Sequence, residues 1–240
     1  MLCAAARVSA QAADTTATDT VAAAAPRKPH AGRQLCIGVD LVHPVANFFS
    51  TNRYGYEFHA DFYTRNELYL AAEAGWGGST VDYTDLKYTT NNHFLRFGFN
   101  RSILSRDRPN DWDMLFIGFR AAVADVNRGV ATFTVIDSVW GNSTGNSAAK
   151  SFLACWAEVT GGMRVEFWKG IYAGWNVRGK FMLNSRSFND LAPLNIAGYG
   201  KGDKNVAFDL NVYLSYGIRW KRKSADSEAG KPIQTTPVEK

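Results

Sequence analysis

From Phe208 to Trp220 apolar and polar residues alternate without a break. Phe208, Leu210, Val212, Leu214, Tyr216, Ile218 and Trp220 share one parity, and Asp209, Asn211, Tyr213, Ser215, Gly217 and Arg219 the other. A period of two marks a β-strand with one apolar and one polar face. The run is longer than the roughly 5–6 residues of an ordinary soluble strand and suits the roughly 9–11 that cross a bilayer at a tilt. Seven more segments carry the pattern, at about 34–43, 54–63, 68–76, 93–101, 113–124, 153–167 and 171–183. The expected fold is all-β: an eight-stranded antiparallel up-and-down transmembrane β-barrel.

Connection lengths support this layout. Thr64–Glu67 and Trp168–Gly170 read as tight turns and 102–112 as a medium one, whereas 44–53, 77–92, 125–152 and 184–205 read as longer loops. Short turns on one side and long loops on the other are the arrangement of outer-membrane barrels. An even strand count then leaves both termini in the periplasm. Trp112, Trp168 and Trp220 are expected at the periplasmic interface, and Trp76 and Trp140 toward the outer one.

The parity opposite the apolar face collects the charges: Asp40, Glu57, His59, Asp61, Glu73, Arg96, Arg120, Glu158, Arg164, Glu166, Arg178, Lys180, Asp209 and Arg219. Arg or Lys at a bilayer midplane costs roughly 2–4 kcal/mol each, so these residues belong inside. Slipping one strand by a residue would turn its charges into lipid. Eight strands leave a lumen that side chains can fill, which predicts a salt-bridged plug and no channel. A soluble barrel holding an apolar ligand would need the opposite facing.

Composition narrows the class further. The 240 residues have a mean hydropathy of −0.23 and no apolar run long enough for a transmembrane helix. The net charge of +5 is scattered, with no basic patch interleaved with stacking aromatics, so nucleic acid is not an expected partner. Cys3, Cys36 and Cys155 make neither a disulfide framework nor a zinc pattern. A Cys36–Cys155 bridge in an oxidising periplasm stands against two small buried thiols, and the strand setting favours the thiols. Residues 1–33 read as a signal-like, disordered segment ending its apolar part at Ala10-Gln11-Ala12, 34–220 as the barrel, and 221–240 as a disordered periplasmic tail.

Candidate chemistry is thin, and no cofactor or metal is expected. His59 lies one strand step from Glu57 and from Asp61 on the inward face, a setting for a hydrolase or lipid-modifying enzyme if a serine pairs with it. No such serine is evident, and membership of the interior network is the simpler reading. His43 and His93 stand at strand ends as surface residues. The glycines of Gly198-Tyr199-Gly200-Lys201-Gly202-Asp203-Lys204 precede a strand rather than a helix, which makes an outer-loop turn of them and not a phosphate loop. Loop 125–152 is the longest, with a mobile-looking tip at Asn142–Asn146 and the acceptor pattern Asn142-Ser143-Thr144. Small outward residues (Ala60, Ala72, Ala74, Ala121, Ala173) suit close approach by another protein or thin packing against lipid.

Four blocks carry a family resemblance: Gly38-Val39-Asp40-Leu41 with Pro44, Ala71-Ala72-Glu73-Ala74-Gly75, Asp113-Met114-Leu115-Phe116-Ile117-Gly118-Phe119-Arg120, and Gly198-Tyr199-Gly200-Lys201-Gly202-Asp203. They resemble a family of small outer-membrane barrels of Bacteroidota whose function is unassigned, over about residues 35–220. The resemblance implies an outer-membrane location with no assigned catalytic residues. It is also similar to a small-barrel accessory subunit of the enlarged barrel-assembly machinery of that phylum. Asp19-Thr20-Val21 and Asp137-Ser138-Val139 resemble its O-glycosylation acceptors.

The expectation is therefore a non-catalytic integral outer-membrane barrel serving as a structural or accessory subunit. It would meet lipid and lipopolysaccharide, and outer-membrane proteins or lipoproteins such as the assembly machinery. The alternatives are the His59 enzyme and a surface-binding or adhesion barrel acting through loop 125–152.

Overall fold

The computed structural model describes residues 32–49, 52–104, 111–185 and 191–221. The signal-like stretch up to residue 31, Cys3, Asp19-Thr20-Val21 and the tail beyond residue 221 lie outside the described residues. In chain order the elements are β1 (Gly32–Asp40), α1 (Val42–Phe49), β2 (Arg53–Arg65), β3 (Leu68–Asp82), β4 (Leu86–Ser102) and β5 (Met114–Arg128). They continue as β6 (Ala131–Val135), β7 (Ser143–Ser147), β8 (Lys150–Trp168), β9 (Ile171–Met182) and β10 (Val206–Lys221).

Eight of the strands close a cylinder. Each of β1 to β4 pairs antiparallel with the next, β5 pairs with β8, β8 with β9, β9 with β10, and β10 returns to β1. Closure removes the sheet edges that would otherwise need capping. At the end where β1 begins and β10 finishes, β2–β3 and β8–β9 are joined by two-residue turns. Asn66 and Glu67 both have positive φ (53° and 63°), as a two-residue hairpin turn matched to strand twist requires.

Around the whole cylinder the outward parity stays apolar and exposed, from Ile37 and Val39 through Leu95, Phe97, Ile117 and Phe119 to Val177, Leu210 and Leu214. Inward positions hold buried charges. An apolar belt of this extent has no place on a soluble monomer. The architecture is the expected up-and-down transmembrane barrel with a filled, charged lumen.

The strands at the far end differ from the expectation, for local reasons. β1 stops at Asp40 instead of running to His43. The Asp40 carboxylate accepts the backbone N–H of His43 at 2.9 Å, capping a helix whose first turn holds Pro44, a residue with no N–H for a sheet ladder. The loop expected at 44–53 is thus largely helix α1. The loop expected at 77–92 is strand except for three residues, and most of 125–152 is strand as well, including the β6–β7 hairpin. In these extensions the outward face turns polar (Thr80, Lys87, Thr89, Asp125) while Val81, Tyr88 and Val126 point inward and are buried. The alternation continues with its sign reversed, as a sheet rising from lipid into water would show. Asn142–Asn146, expected to be mobile, supplies most of β7.

Candidate functional site: the sealed lumen

Strand register brings the charges into one network. Glu73 lies opposite Arg96 across the β3–β4 ladder, Arg120 opposite Glu158 across β5–β8, and Arg178 opposite Asp209 across β9–β10. Arg96 Nη1 donates to Glu57 Oε1 at 2.7 Å and to Glu73 Oε2 at 2.6 Å, and its Nε lies 3.0 Å from Glu158 Oε1. Arg120 Nε donates to Glu73 Oε1 at 2.6 Å, and Arg178 Nη1 to Glu57 Oε1 at 2.8 Å. Arg178 Nη1 also lies 3.0 Å from Glu73 Oε2. Three carboxylates therefore meet three guanidiniums, all buried. Asn100, Asn176 and Asn211 fill remaining donor and acceptor positions around them.

Two smaller groups flank this centre. Toward the termini, Arg164 Nη1 donates to Asp61 Oδ2 at 3.2 Å and its guanidinium lies 5.3 and 5.2 Å from the Tyr69 and Tyr172 ring centroids. Arg219 pairs with Glu166 and the Tyr172 hydroxyl at the rim. Toward the mouth opposite the termini, Lys180 Nζ donates to Asp209 Oδ2 and to Gly198 O, both at 2.7 Å. Of the fourteen residues expected inside, ten are buried. His59, Glu166 and Asp209 are half-buried, and Arg219 is exposed at the rim.

Apolar layers above and below the charges went unseen in the sequence. Cys36, Tyr63, Tyr69, Trp112, Met114, Phe116 and Tyr172 close the terminal end. Trp112 is thereby corrected: it turns into the lumen against Tyr63 (ring centroids 5.5 Å apart) and is 5% exposed, so it is not an interfacial anchor. Trp76, Trp168 and Trp220 do face outward, and Trp220 packs on Phe62. Trp140 is exposed at the tip of the β6–β7 hairpin rather than on a barrel strand. Cys36 and Cys155 are separate free thiols.

The mouth opposite the termini is closed by the segment before β10. Ile196, Ala197 and Tyr199 are buried against Phe94, Ala124, Val126 and Trp156, and the Gly198 carbonyl accepts from Arg96 Nη2 at 2.6 Å. Gly198 has φ +77°, and a Cβ there would stand 2.8 Å from Arg96 Nη2, so both backbone and space call for glycine. The glycine-rich turn expected in an outer loop is thus a stopper pressed into the barrel. Large aromatics at inward parity, Trp156 and Phe94 among them, were the sequence signal for such a lid.

Beside Asp40, Glu57, His59 and Tyr213, at the level of the charges, lies a void of about 10 Å³, about the size of one water. His59 packs edge-on to Tyr213 with centroids 4.8 Å apart, and its buried Nε2 has no hydrogen-bond partner. The Ser215 hydroxyl, across β1 from it, has none either. Among the described residues, His59 Nε2 is therefore not engaged with a serine hydroxyl. Among the described residues no group of three or more His, Cys, Asp or Glu is placed to hold a metal ion, and no helix is long and apolar enough to cross a membrane.

No curated protein matches the chain. Among solved structures, the N-terminal β-barrel domain of Pseudomonas aeruginosa OprF is similar at 9% identity and a TM-score of 0.34, with 80% of this chain and 100% of that one covered. Neisserial surface protein A (NspA) is similar at 11% identity and a TM-score of 0.32, with 82% and 100% covered. A family profile matches residues 1–223, and the chain belongs to that family, described as "Domain of unknown function (DUF6048)".

Proposed function

We propose that this protein is a non-catalytic integral barrel of the bacterial outer membrane that serves as a structural or accessory subunit of a larger outer-membrane complex. The observation that carries the reading is the stoppered lumen. Its central charges are spent on one another, which suits a scaffold better than a channel or an enzyme. Both termini leave from the end with the short turns, which suits a periplasmic location for them.

Contacts with other proteins would then fall to the surface. The β6–β7 hairpin stands outside the closed cylinder and exposes Val135, Ile136, Val139 and Trp140, the last at 89%. Exposed apolar residues on a polar rim are the usual mark of a binding surface. The barrel-assembly machinery is the complex suggested by the family resemblance. Crosslinking in native membranes followed by gentle solubilisation tests the reading. Migration in a higher-mass species with a reproducible outer-membrane partner is expected, and migration alone with nothing crosslinked would contradict it. The His59 enzyme is the second reading. It requires lipid A or phospholipid profiles that change in a His59→Ala strain.

A further inference from the structure

The cylinder is closed at one end only by register; at the other its wall has a gap. β1 pairs with β2 over Leu35–Val39 and with β10 over Gly32–Asp40, then leaves the sheet as α1. Beyond that point Arg53–Glu57 of β2 pair only with β3, and Val206–Leu210 of β10 only with β9. Helix α1 lies across the gap. Its Asn47 side chain bonds both the N–H and the carbonyl of Gly55, at 3.0 Å each, in place of a neighbouring strand.

A cleft of about 410 Å³ passes through the wall here, within the roughly 300–1,000 Å³ of small-molecule sites. Its lining includes outward side chains (Tyr54, Trp76, Phe208) together with inward ones (Phe94, Lys180, Asp209), so it joins the lipid-facing surface to the top of the lumen. Its acids are already paired, Glu57 with Arg96 and Arg178 and Asp209 with Lys180. Three exposed cations line it as well: Arg53, Lys201 and Lys204. Among the described residues, Lys204 alone of the three has an acidic neighbour, Asp203 at 3.8 Å. On the far side of α1, Val45, Phe48 and Phe49 are exposed, which suits a helix lying in a lipid–water interface.

We infer that this lateral cleft binds a phosphate-bearing, acylated lipid of the outer leaflet, with a chain between α1 and the aromatics of β2 and β10 and the phosphate at Arg53, Lys201 and Lys204. The inference rests on the membrane placement proposed above. Native mass spectrometry of the full barrel in detergent would test it, with lipid A, phosphatidylglycerol and uncharged diacylglycerol as probes. One saturable adduct with lipid A or phosphatidylglycerol is expected, weakened about tenfold or more in an Arg53→Gln, Lys201→Gln, Lys204→Gln variant. Preference for lipid A assigns the ligand to the cell-surface glycolipid, and preference for phosphatidylglycerol to ordinary phospholipid. Ala46→Trp, which fills the cleft from α1, removes the adduct. Equal retention of diacylglycerol, no saturable adduct, or an unchanged triple variant would overturn the cleft. Heat-modifiable mobility of the same samples reports barrel folding separately, so loss of the adduct from a barrel that still folds in detergent indicts the cleft and not the placement.

Discussion

Replacing Glu73 by Gln keeps the volume of the side chain and deletes one of the three central carboxylates. Its two oxygens serve Arg120 Nε and Arg96 Nη1, each at 2.6 Å, with Arg178 Nη1 at 3.0 Å. Glutamine retains one acceptor oxygen and turns an NH₂ toward a guanidinium. Two carboxylates would then face three guanidiniums in a buried network whose adjoining void has room for about one water. Removing one partner of a buried ion pair costs about 3–5 kcal/mol, a large fraction of a typical stability of roughly 5–15 kcal/mol. The assay is urea unfolding of the barrel in lipid bilayers, followed by tryptophan fluorescence. The midpoint should fall by the equivalent of that cost with the slope unchanged. Adding Arg120→Gln should cost less than the sum of the single changes, because it restores the balance. A loss under about 1 kcal/mol, the value of a solvent-exposed pair, would show that the lumen is wet and refute the sealed plug.

Three other outcomes follow from the same geometry. A Cβ at Gly38 would stand 2.4 Å from both His59 Cε1 and the Leu214 carbonyl. Gly38→Ala should therefore lower stability by about 1–3 kcal/mol, with only partial recovery on adding His59→Ala; an unchanged midpoint would contradict this. His43 Nδ1 lies 2.5 Å from Asp40 Oδ2, and that bond raises its pKa above 6.5 against the opposing effect of burial. Because the folded value is the higher one, the contribution to α1 is full below about 6.5 and is lost as pH rises through the raised value. Hydrogen-exchange protection of α1 should fall over that window and become flat in His43→Gln; a wild-type profile already flat in pH would refute the pairing. The purified protein should add no ion conductance to planar bilayers, and discrete open steps would contradict the stopper.

Strand number and facing were legible because charge makes the period of two unambiguous. A register error at β4 or β9 would have put Arg96, or Arg178 and Lys180, into lipid, so the lumen list could be read from parity alone. Other features depended on contacts that sequence distance hides. Asp40 reads as one more inward charge until its carboxylate is seen capping α1. The strands above the membrane were missed because their outward face turns polar, which looks like loop composition. The Gly198–Lys204 turn looked like solvent-facing punctuation, yet Tyr199 and Ile196 are among the largest fully buried side chains. Trp112 shows the limit of placing aromatics by chain position: it lies just ahead of a strand, where its backbone sets the direction of the ring. The aromatic layers on either side of the charges have the same origin. An inward Tyr or Trp in a narrow barrel follows the polar parity, and its burial becomes visible only when the opposite strands are in place.

Which face of the barrel meets lipid is read directly by spin-label accessibility. Single cysteines at Phe97, Ile117, Val177 and Leu210, all outward and between 46% and 59% exposed, would each carry a nitroxide in protein reconstituted into bilayers. Collisions with lipid-dissolved oxygen are expected at all four positions, with shielding from a water-soluble nickel chelate. Free access of the chelate to these sites would place the apolar belt in water and contradict the fold's orientation in lipid.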